Sequence, residues 1–486
     1  MKRVLLPVAV LTVLYLLALA LWPEYLNHNS EYQWPVLRHG VAVKLIPACL
    51  ALLIIIAIVI HFTLRIEWQI PGRLHLAGLS TFLFFFAVSW QIIPRTVHRM
   101  GLLEFPLRIY LPDHTSYFTD AVRYIGILQR VELITEFPQK VDMLILETHS
   151  RTHPPGAILF FCKFIDRSSR LPGFVSWYNR VVPRSQEASE RFKLISDEVA
   201  AGGLAALAII LFACLVPAMM IWLRDSAQAN QKNIWLGAIF FLLTPSFSNK
   251  TPVLDQFAGF VIILGVIFFL NGLPKNKILM SLFSGLLLTL GLWLSYTFLA
   301  AFPLVFFIGA AWQIKTKSVL SRAYLTSFFL GIGAGLLIIL AWVAPGNLLA
   351  IYRANEAGWY FNNTISGRIH VWKWILFNPY EFFAWLGAPI LYFFVLAIWR
   401  ELKKAWRKQW NEIDPLVWAI FIFGLALDLS GRVCYESPRL AWFYAPFVCL
   451  VAAKGFVNTE GLNRPWALAA ILVLQAATVL VFRMLF

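Results

Sequence analysis

Long apolar runs recur from one end of this sequence to the other, and they constrain the chain more than any other feature. Ala200–Leu223 contains no Asp, Glu, Lys or Arg, and similar runs cover Val4–Trp22, Leu74–Ile93, Val253–Leu270 and Ile278–Tyr296. A helix that is apolar all round must be buried in protein or in lipid, and a soluble domain has little room for many of them. The composition agrees: 60% of the 486 residues are hydrophobic, 16% aromatic and 14% charged. A soluble chain has about 45–50% apolar and about 25% charged residues, so soluble, disordered and collagen-like classes are excluded. The 5 Cys include no C-x-x-C pair, which removes zinc modules and disulfide scaffolds. The runs have helix length and lack the alternation of about ten-residue barrel strands. The expected fold is an all-α integral membrane bundle in one polytopic domain, residues 1–486.

Counting the runs gives about thirteen spans, beginning with an uncleaved helix after Met1-Lys2-Arg3. With that start in the cytoplasm, alternation puts Arg65–Arg73, Arg224–Lys232, Lys275–Lys277, Lys315–Arg322, Arg400–Lys408 and Lys454–Arg464 inside. Each carries at least two basic residues. The net charge of +16 therefore reads as topology plus an anionic ligand, and no nucleic-acid partner is expected. The other side receives two long stretches, Pro94–Val199 and Ala344–Glu381, and the short links Ser248–Pro252 and Asp428–Arg439. Patterns such as Tyr117-Phe118-Thr119-Asp120-Ala121-Val122-Arg123-Tyr124 predict amphipathic interfacial helices in the first stretch.

Most chemistry-bearing residues fall on that side. Asp113 and Asp120 are two helical turns apart, so either is a candidate general base; Pro112-Asp113 reads equally as a helix N-cap. His149, Arg151 and His153 gather just before Pro154-Pro155, which ends the preceding structure. Cationic donors at the mouth of an apolar bundle suit a phosphate. His149 and His153 have the i, i+4 spacing of metal ligands, but Pro154 argues against a continuous helix there; no metal site is assigned and a divalent ion is not excluded. Arg368, His370 and Lys373 lie among tryptophans and read either as a headgroup belt or as a cavity wall. Glu436 and Arg439, at i, i+3 beside hydrocarbon, either pair with each other or face a polar cavity. Asn249-Lys250-Thr251 and Asn362-Asn363-Thr364 match the glycosylation sequon.

Asp113-His114-Thr115-Ser116-Tyr117, followed about thirty residues later by His153-Pro154-Pro155, resembles the C-type glycosyltransferase superfamily. These polytopic enzymes, including protein O-mannosyltransferases and lipid A aminoarabinose transferases, use lipid-phosphate-linked sugars. Their first long outer loop carries an acidic motif ending in Tyr and, farther on, a Lys/His-Pro-Pro segment. His114 stands where many members have a second acid, and two additional spans precede the motif here. The resemblance implies Asp113 as base, His153 with Arg151 as ligands of the lipid-linked phosphate, and Tyr117 in the cavity wall. Asp120 and His149 enter by proximity alone, and the resemblance adds no cofactor. The activity implied is sugar transfer from a polyprenyl-phosphate carrier to a lipid, glycan or protein acceptor, with inversion. It would take place on the extracytoplasmic face of a cell membrane, a prokaryotic inner membrane by this resemblance. The alternative is a transporter or flippase of a lipid-linked saccharide, whose polar residues would sit nearer mid-bilayer.

Overall fold

The computed structural model describes residues 2–21, 53–63, 72–96, 104–111, 116–127, 136–139, 141, 146, 150–182, 193–223, 231–249, 251–296, 298–317, 319–342, 345–365, 371–432, 442–460, 462 and 464–485. Among these residues the regular structure is helical throughout. Helices α1 (Lys2–Leu21) and α2 (Leu53–Thr63) precede α3 (Arg73–Thr96). Shorter helices follow: α4 (Glu104–Tyr110), α5 (Tyr117–Ile127), α6 (Gly156–Ser169) and α7 (Pro172–Val181). The apolar series then runs through α8 (Ser196–Met220), α9 (Gln231–Leu242), α10 (Pro245–Asn249), α11 (Leu254–Gly272), α12 (Ile278–Leu292), α13 (Phe298–Thr316) and α14 (Arg322–Trp342). After it come α15 (Pro345–Ile365), α16 (Val371–Leu386), α17 (Ala388–Trp406), α18 (Pro415–Leu429), α19 (Ala445–Val457) and α20 (Pro465–Leu485).

Among the described residues six helices, α3, α8, α11, α13, α14 and α20, are long and apolar enough to cross a membrane. The bent pair α16 and α17 makes a seventh if it is one span. The count of about thirteen is therefore met in kind and not in number: among the described residues the apolar part of α1 (Val4–Leu17), α2, α12, α18 and α19 are apolar but shorter than the roughly 17 residues a straight crossing needs. Large apolar side chains such as Phe329, Leu330 and Leu337 stand exposed on the flank of α14, as lipid contact requires. The chain is a membrane-embedded helical bundle.

Helix α8 is the hub. Asp197 and Glu198 fill its first turn, where negative charge suits the helix dipole, and the Ile195 N–H donates to the Glu198 carboxylate at 2.9 Å. Its Ala- and Gly-rich surface admits neighbours closely: the rings of Tyr110 and Tyr178 lie where side chains at Gly202 and Gly203 would stand. The Tyr110 hydroxyl donates to the Val199 carbonyl. These contacts fasten α4 and α7, from the 94–199 stretch, to the start of α8.

Hydrogen bonds sort the helix ends into two groups. Asn271 Nδ2 donates to Trp222 O at 2.8 Å, Gln231 Nε2 to Ile221 O at 3.0 Å, and Ser281 Oγ to Tyr324 O at 2.7 Å. They gather the ends of α8 and α11 with the starts of α9, α12 and α14. Arg400 donates to Gly455 O and Thr459 Oγ1, and Lys454 Nζ to Asp414 Oδ2 at 2.7 Å, joining the ends of α17 and α19 to the start of α18. Lys232, Lys275, Lys277, Lys403 and Lys454 all belong to this basic end.

At the opposite end the chain reverses between α9 and α11. Thr244 Oγ1 accepts from the Phe247 N–H, and Pro245 follows as the first residue of α10, so a capped one-turn helix interrupts the apolar run. Ser248–Pro252 reads in the sequence as an outer link, and within it and just before it Thr244, Ser246, Ser248, Asn249 and Thr251 are all buried. Arg95 donates from Nη1 to Gln91 O and from Nη2 to the Ser248 and Thr251 carbonyls, and lies 4.0 Å over the Phe105 ring. Arg108 Nη1 donates to Asn249 O at 2.6 Å, and Gln91 and Gln256 both donate to Phe247 O. Two cations thus neutralise carbonyls that no water reaches, at the negative end of a helix. Burial pushes the Arg108 guanidinium down to about 10. The sequon at Asn249 is enclosed in this tip, its amide donating to Val479 O at 3.4 Å.

Between α16 and α17 the axis turns by 117° at Gly387, whose φ of 96° suits a residue without a Cβ. A Cβ there would meet the Gln475 side chain at 2.4 Å. Gln475 Nε2 donates to both Leu386 O and Leu243 O, so one amide holds the bend and the α9 break together.

Candidate functional site

The site is built at the end of the bundle away from the basic loops, where two separated segments of the 94–199 stretch meet. Ser116 enters α5 with a positive φ of 53°, and its carbonyl accepts the Asp120 N–H at 2.9 Å. Its hydroxyl lies 3.1 Å from the hydroxyl of Ser150, which opens a single 3-10 turn over Ser150–Thr152. One residue on, the buried Tyr117 ring meets the His153 ring edge-on, with centroids 5.4 Å apart. His153 Nδ1 is 3.0 Å from Thr152 Oγ1, which fixes the plane of the imidazole. Phe118 packs on Phe161 of α6 and so holds α5 against the helix that starts just after Pro154-Pro155.

The backbone of residues 150–156 is fixed from the far side by α15. Asn355, buried in that helix, donates from Nδ2 to Arg151 O at 2.7 Å and to His153 O at 2.8 Å. Its Oδ1 accepts from the Tyr296 hydroxyl at 2.8 Å. Two glycines make the close fit possible. A Cβ at Gly358 would stand 2.9 Å from Arg151 O, and one at Gly156 would stand 1.8 Å from Trp293 O. The result is a cradle made by α15 and the turn at 293–296, with the carbonyls of Arg151 and His153 turned into it. The side chains of Arg151, Thr152 and His153 are half-buried. Arg151 Nε donates to Leu146 O, and its guanidinium lies 5.9 Å from the Phe361 ring centre.

Asp120 is fully buried in the first turn of α5, and its carboxylate lies 3.5 Å from the Arg123 guanidinium on the same helix. That ion pair is a structural use for the residue. Asp113, His149, Arg368, His370, Glu436 and Arg439 lie outside the described residues, and so does the side chain of Lys373 at the start of α16. Asp113 precedes the Ser116–Ser150 junction by three positions in the chain.

Around the cradle the second long stretch and the end of α18 add polar groups. Glu356 pairs with Arg432 at 3.2 Å, and Arg432 lies 5.7 Å from the Trp359 ring centre. Asn378 Nδ2 donates to Asp428 Oδ1 at 3.2 Å. Asn355 and Tyr296 belong to no motif in the sequence. The available signal was an Asn inside Arg353-Ala354-Asn355-Glu356, on a helix whose neighbours alternate between apolar and charged. Among the described residues no three His, Cys, Asp or Glu side chains are gathered in a way that would hold a metal ion. Compared with protein-family models, curated proteins and solved structures, the chain matches none, so its own residues carry the argument about what it does.

Proposed function

We propose that the chain is a membrane glycosyltransferase that moves a sugar from a polyprenyl-phosphate carrier to an acceptor at the non-cytoplasmic face. The observation that carries this reading is the joining of the 116–120 and 150–156 segments through Tyr117 with His153 and Ser116 with Ser150. It places the segment that follows Asp113 beside the segment that holds Arg151 and His153. In this reading about thirteen passes span the bilayer, several through short or bent helices, and the basic end faces the cytoplasm.

The chemistry needs few groups. A sugar on a lipid phosphate already has a good leaving group, so no acid has to protonate it. The acceptor oxygen attacks the anomeric carbon as its bond to the phosphate oxygen breaks, and the electron pair leaves with the polyprenyl phosphate. The acceptor proton passes to the Asp113 carboxylate, and Arg151 and His153 stabilise the charge growing on phosphate. One displacement inverts the anomeric carbon. A glycosidase would instead oppose two carboxylates across a water.

The test is kinetic. Purified protein is given a panel of polyprenyl-phosphate sugars, and release of polyprenyl phosphate is followed with donor varied at saturating acceptor. Arg151→Ala and His153→Ala are expected to raise the KM for donor and to lower kcat, because the contact strengthens toward the transition state. Wild-type donor dependence in the double variant would remove the phosphate site from this loop.

A further inference from the structure

We propose that the outer face of α17 and the turn after it form a binding site for an anionic phospholipid at the basic end of the bundle. The inward face of α17 buries Ile390, Phe393, Phe394, Ala397, Ile398 and Glu401. The outward face repeats with the helix: Val395, Trp399, Leu402 and Trp406 are all exposed, Trp406 at 90%. This stripe continues the apolar flank of the bundle, as an acyl chain lying along it would require. At its far end the character changes. Lys403 Nζ lies 5.3 Å from the Trp399 ring centre, and Arg407 and Lys408 follow, both exposed. The chain then reverses, with Lys408 at a φ of 58° and the Gln409 N–H donating to Lys404 O at 2.9 Å, and brings the exposed Trp410 to the same border.

The nearby acids are engaged elsewhere. Glu401 accepts from Lys404 Nζ and from the Asp414 N–H, each at 2.7 Å, and Asp414 pairs with the buried Lys454. Glu412 Oε1 accepts from Gln409 at 3.3 Å, and its carbonyl accepts from Lys404. Among the described residues Lys403, Arg407 and Lys408 make no ion pair with an acid. Three cations beside three tryptophans, on a turn stiffened from behind, match a phosphate headgroup whose chains descend past Leu402 and Val395. A soluble acidic protein would leave that apolar stripe unused.

The test uses the full chain in detergent, titrated with phosphatidylglycerol or phosphatidylcholine and read by native mass spectrometry. Wild-type protein is expected to retain phosphatidylglycerol in preference. The triple variant Lys403→Gln, Arg407→Gln, Lys408→Gln should weaken that retention about a hundredfold, since each cation at a membrane surface contributes about fivefold. Lys275→Gln with Lys277→Gln, a basic loop without tryptophan, should leave it unchanged. Exchanging the cations, Lys403→Arg, Arg407→Lys and Lys408→Arg, should preserve it. Photoactivatable phosphatidylglycerol gives a readout on unmodified protein and should crosslink within 395–410. Equal retention of the two lipids, an equal loss in the 275/277 variant, or crosslinks spread evenly over the basic loops would overturn the proposal.

Discussion

The reversal between α9 and α11 and the cradle around residues 150–156 both bury polar groups at the same end of the bundle, yet they commit their cations to the backbone to different degrees. At the reversal the guanidinium heads of Arg95 and Arg108 are themselves buried and donate to carbonyls of Gln91, Ser248, Asn249 and Thr251. In the cradle it is the backbone of Arg151 and His153 that is held, by Asn355, while the two side chains stay half-buried. A cation whose head completes the backbone is part of the fold. Arg151 gives the backbone one bond from its head, to Leu146 O, and is itself held by its carbonyl.

The contrast breaks most readily at Arg95. Replacement by Leu leaves at least two buried carbonyls without their donor, each worth about 1–3 kcal/mol, so stability should fall by about 2–6 kcal/mol. Arg151→Leu, which releases the Leu146 carbonyl alone, should lower the melting temperature less. Comparing unfolding of the two variants in the same detergent checks this, and a similar loss in both would erase the distinction.

Asn355→Leu comes next. It keeps the branched shape of the side chain but releases two carbonyls and the Tyr296 hydroxyl, so the 150–156 segment shifts. Misplacing positioning groups by about 1 Å costs about 10²-fold. Transfer should drop by that order, with a raised KM for donor. Tyr296→Phe removes a single hydrogen bond to Asn355, about 0.5–1.5 kcal/mol, and should cost roughly threefold to tenfold. If Tyr296→Phe matched Asn355→Leu, the phenol would be acting directly on substrate.

The smallest expected effect sharpens the comparison at the basic end, where Asp414 pairs with the buried Lys454. Burial pushes the Asp414 carboxyl up, but Lys454, with help from Lys315 and the Leu416 N–H, outweighs it and holds the group below its usual range. A depressed carboxylate contributes stability above its unfolded pKa of about 3.9 and loses it as pH falls through the lower folded value. Between about pH 5 and 8 this group should therefore leave the melting temperature flat. Asp414→Asn should lower the melting temperature at neutral pH, and the difference from wild type should shrink below about pH 4.

Sequence and structure agree wherever one physical signal dominates. Ala200–Leu223 read as a span becomes Ser196–Met220, and Val253–Leu270 becomes Leu254–Gly272, because an uninterrupted apolar run leaves the backbone nothing but a helix. Where tertiary partners decide, hydropathy is blind. Ser248–Pro252 reads as a polar link because Ser, Asn and Thr favour loops, yet Arg95 and Arg108 bury it. The apolar part of α16 begins within the stretch assigned to 344–381, and the turn at Gly387 hides a bent pair behind a single run. At the candidate site the segments running from Ser116 and up to His153 are legible in the sequence as motifs, while Asp113 lies outside the described residues. Asn355 is not legible there, since its role depends on two carbonyls about two hundred positions away in the chain.

The most direct measurement sets Asp113→Asn beside wild type in proteoliposomes supplied with a lipid-phosphate sugar and an acceptor, following both sugar transfer and movement of donor between leaflets. The account predicts transfer with inversion by the wild type, and donor binding retained in the variant. Turnover in the variant should be reduced by about 10²–10⁴-fold, the usual cost of losing a positioned base. Donor crossing the membrane without any transferred sugar, or full turnover in Asp113→Asn, would contradict it.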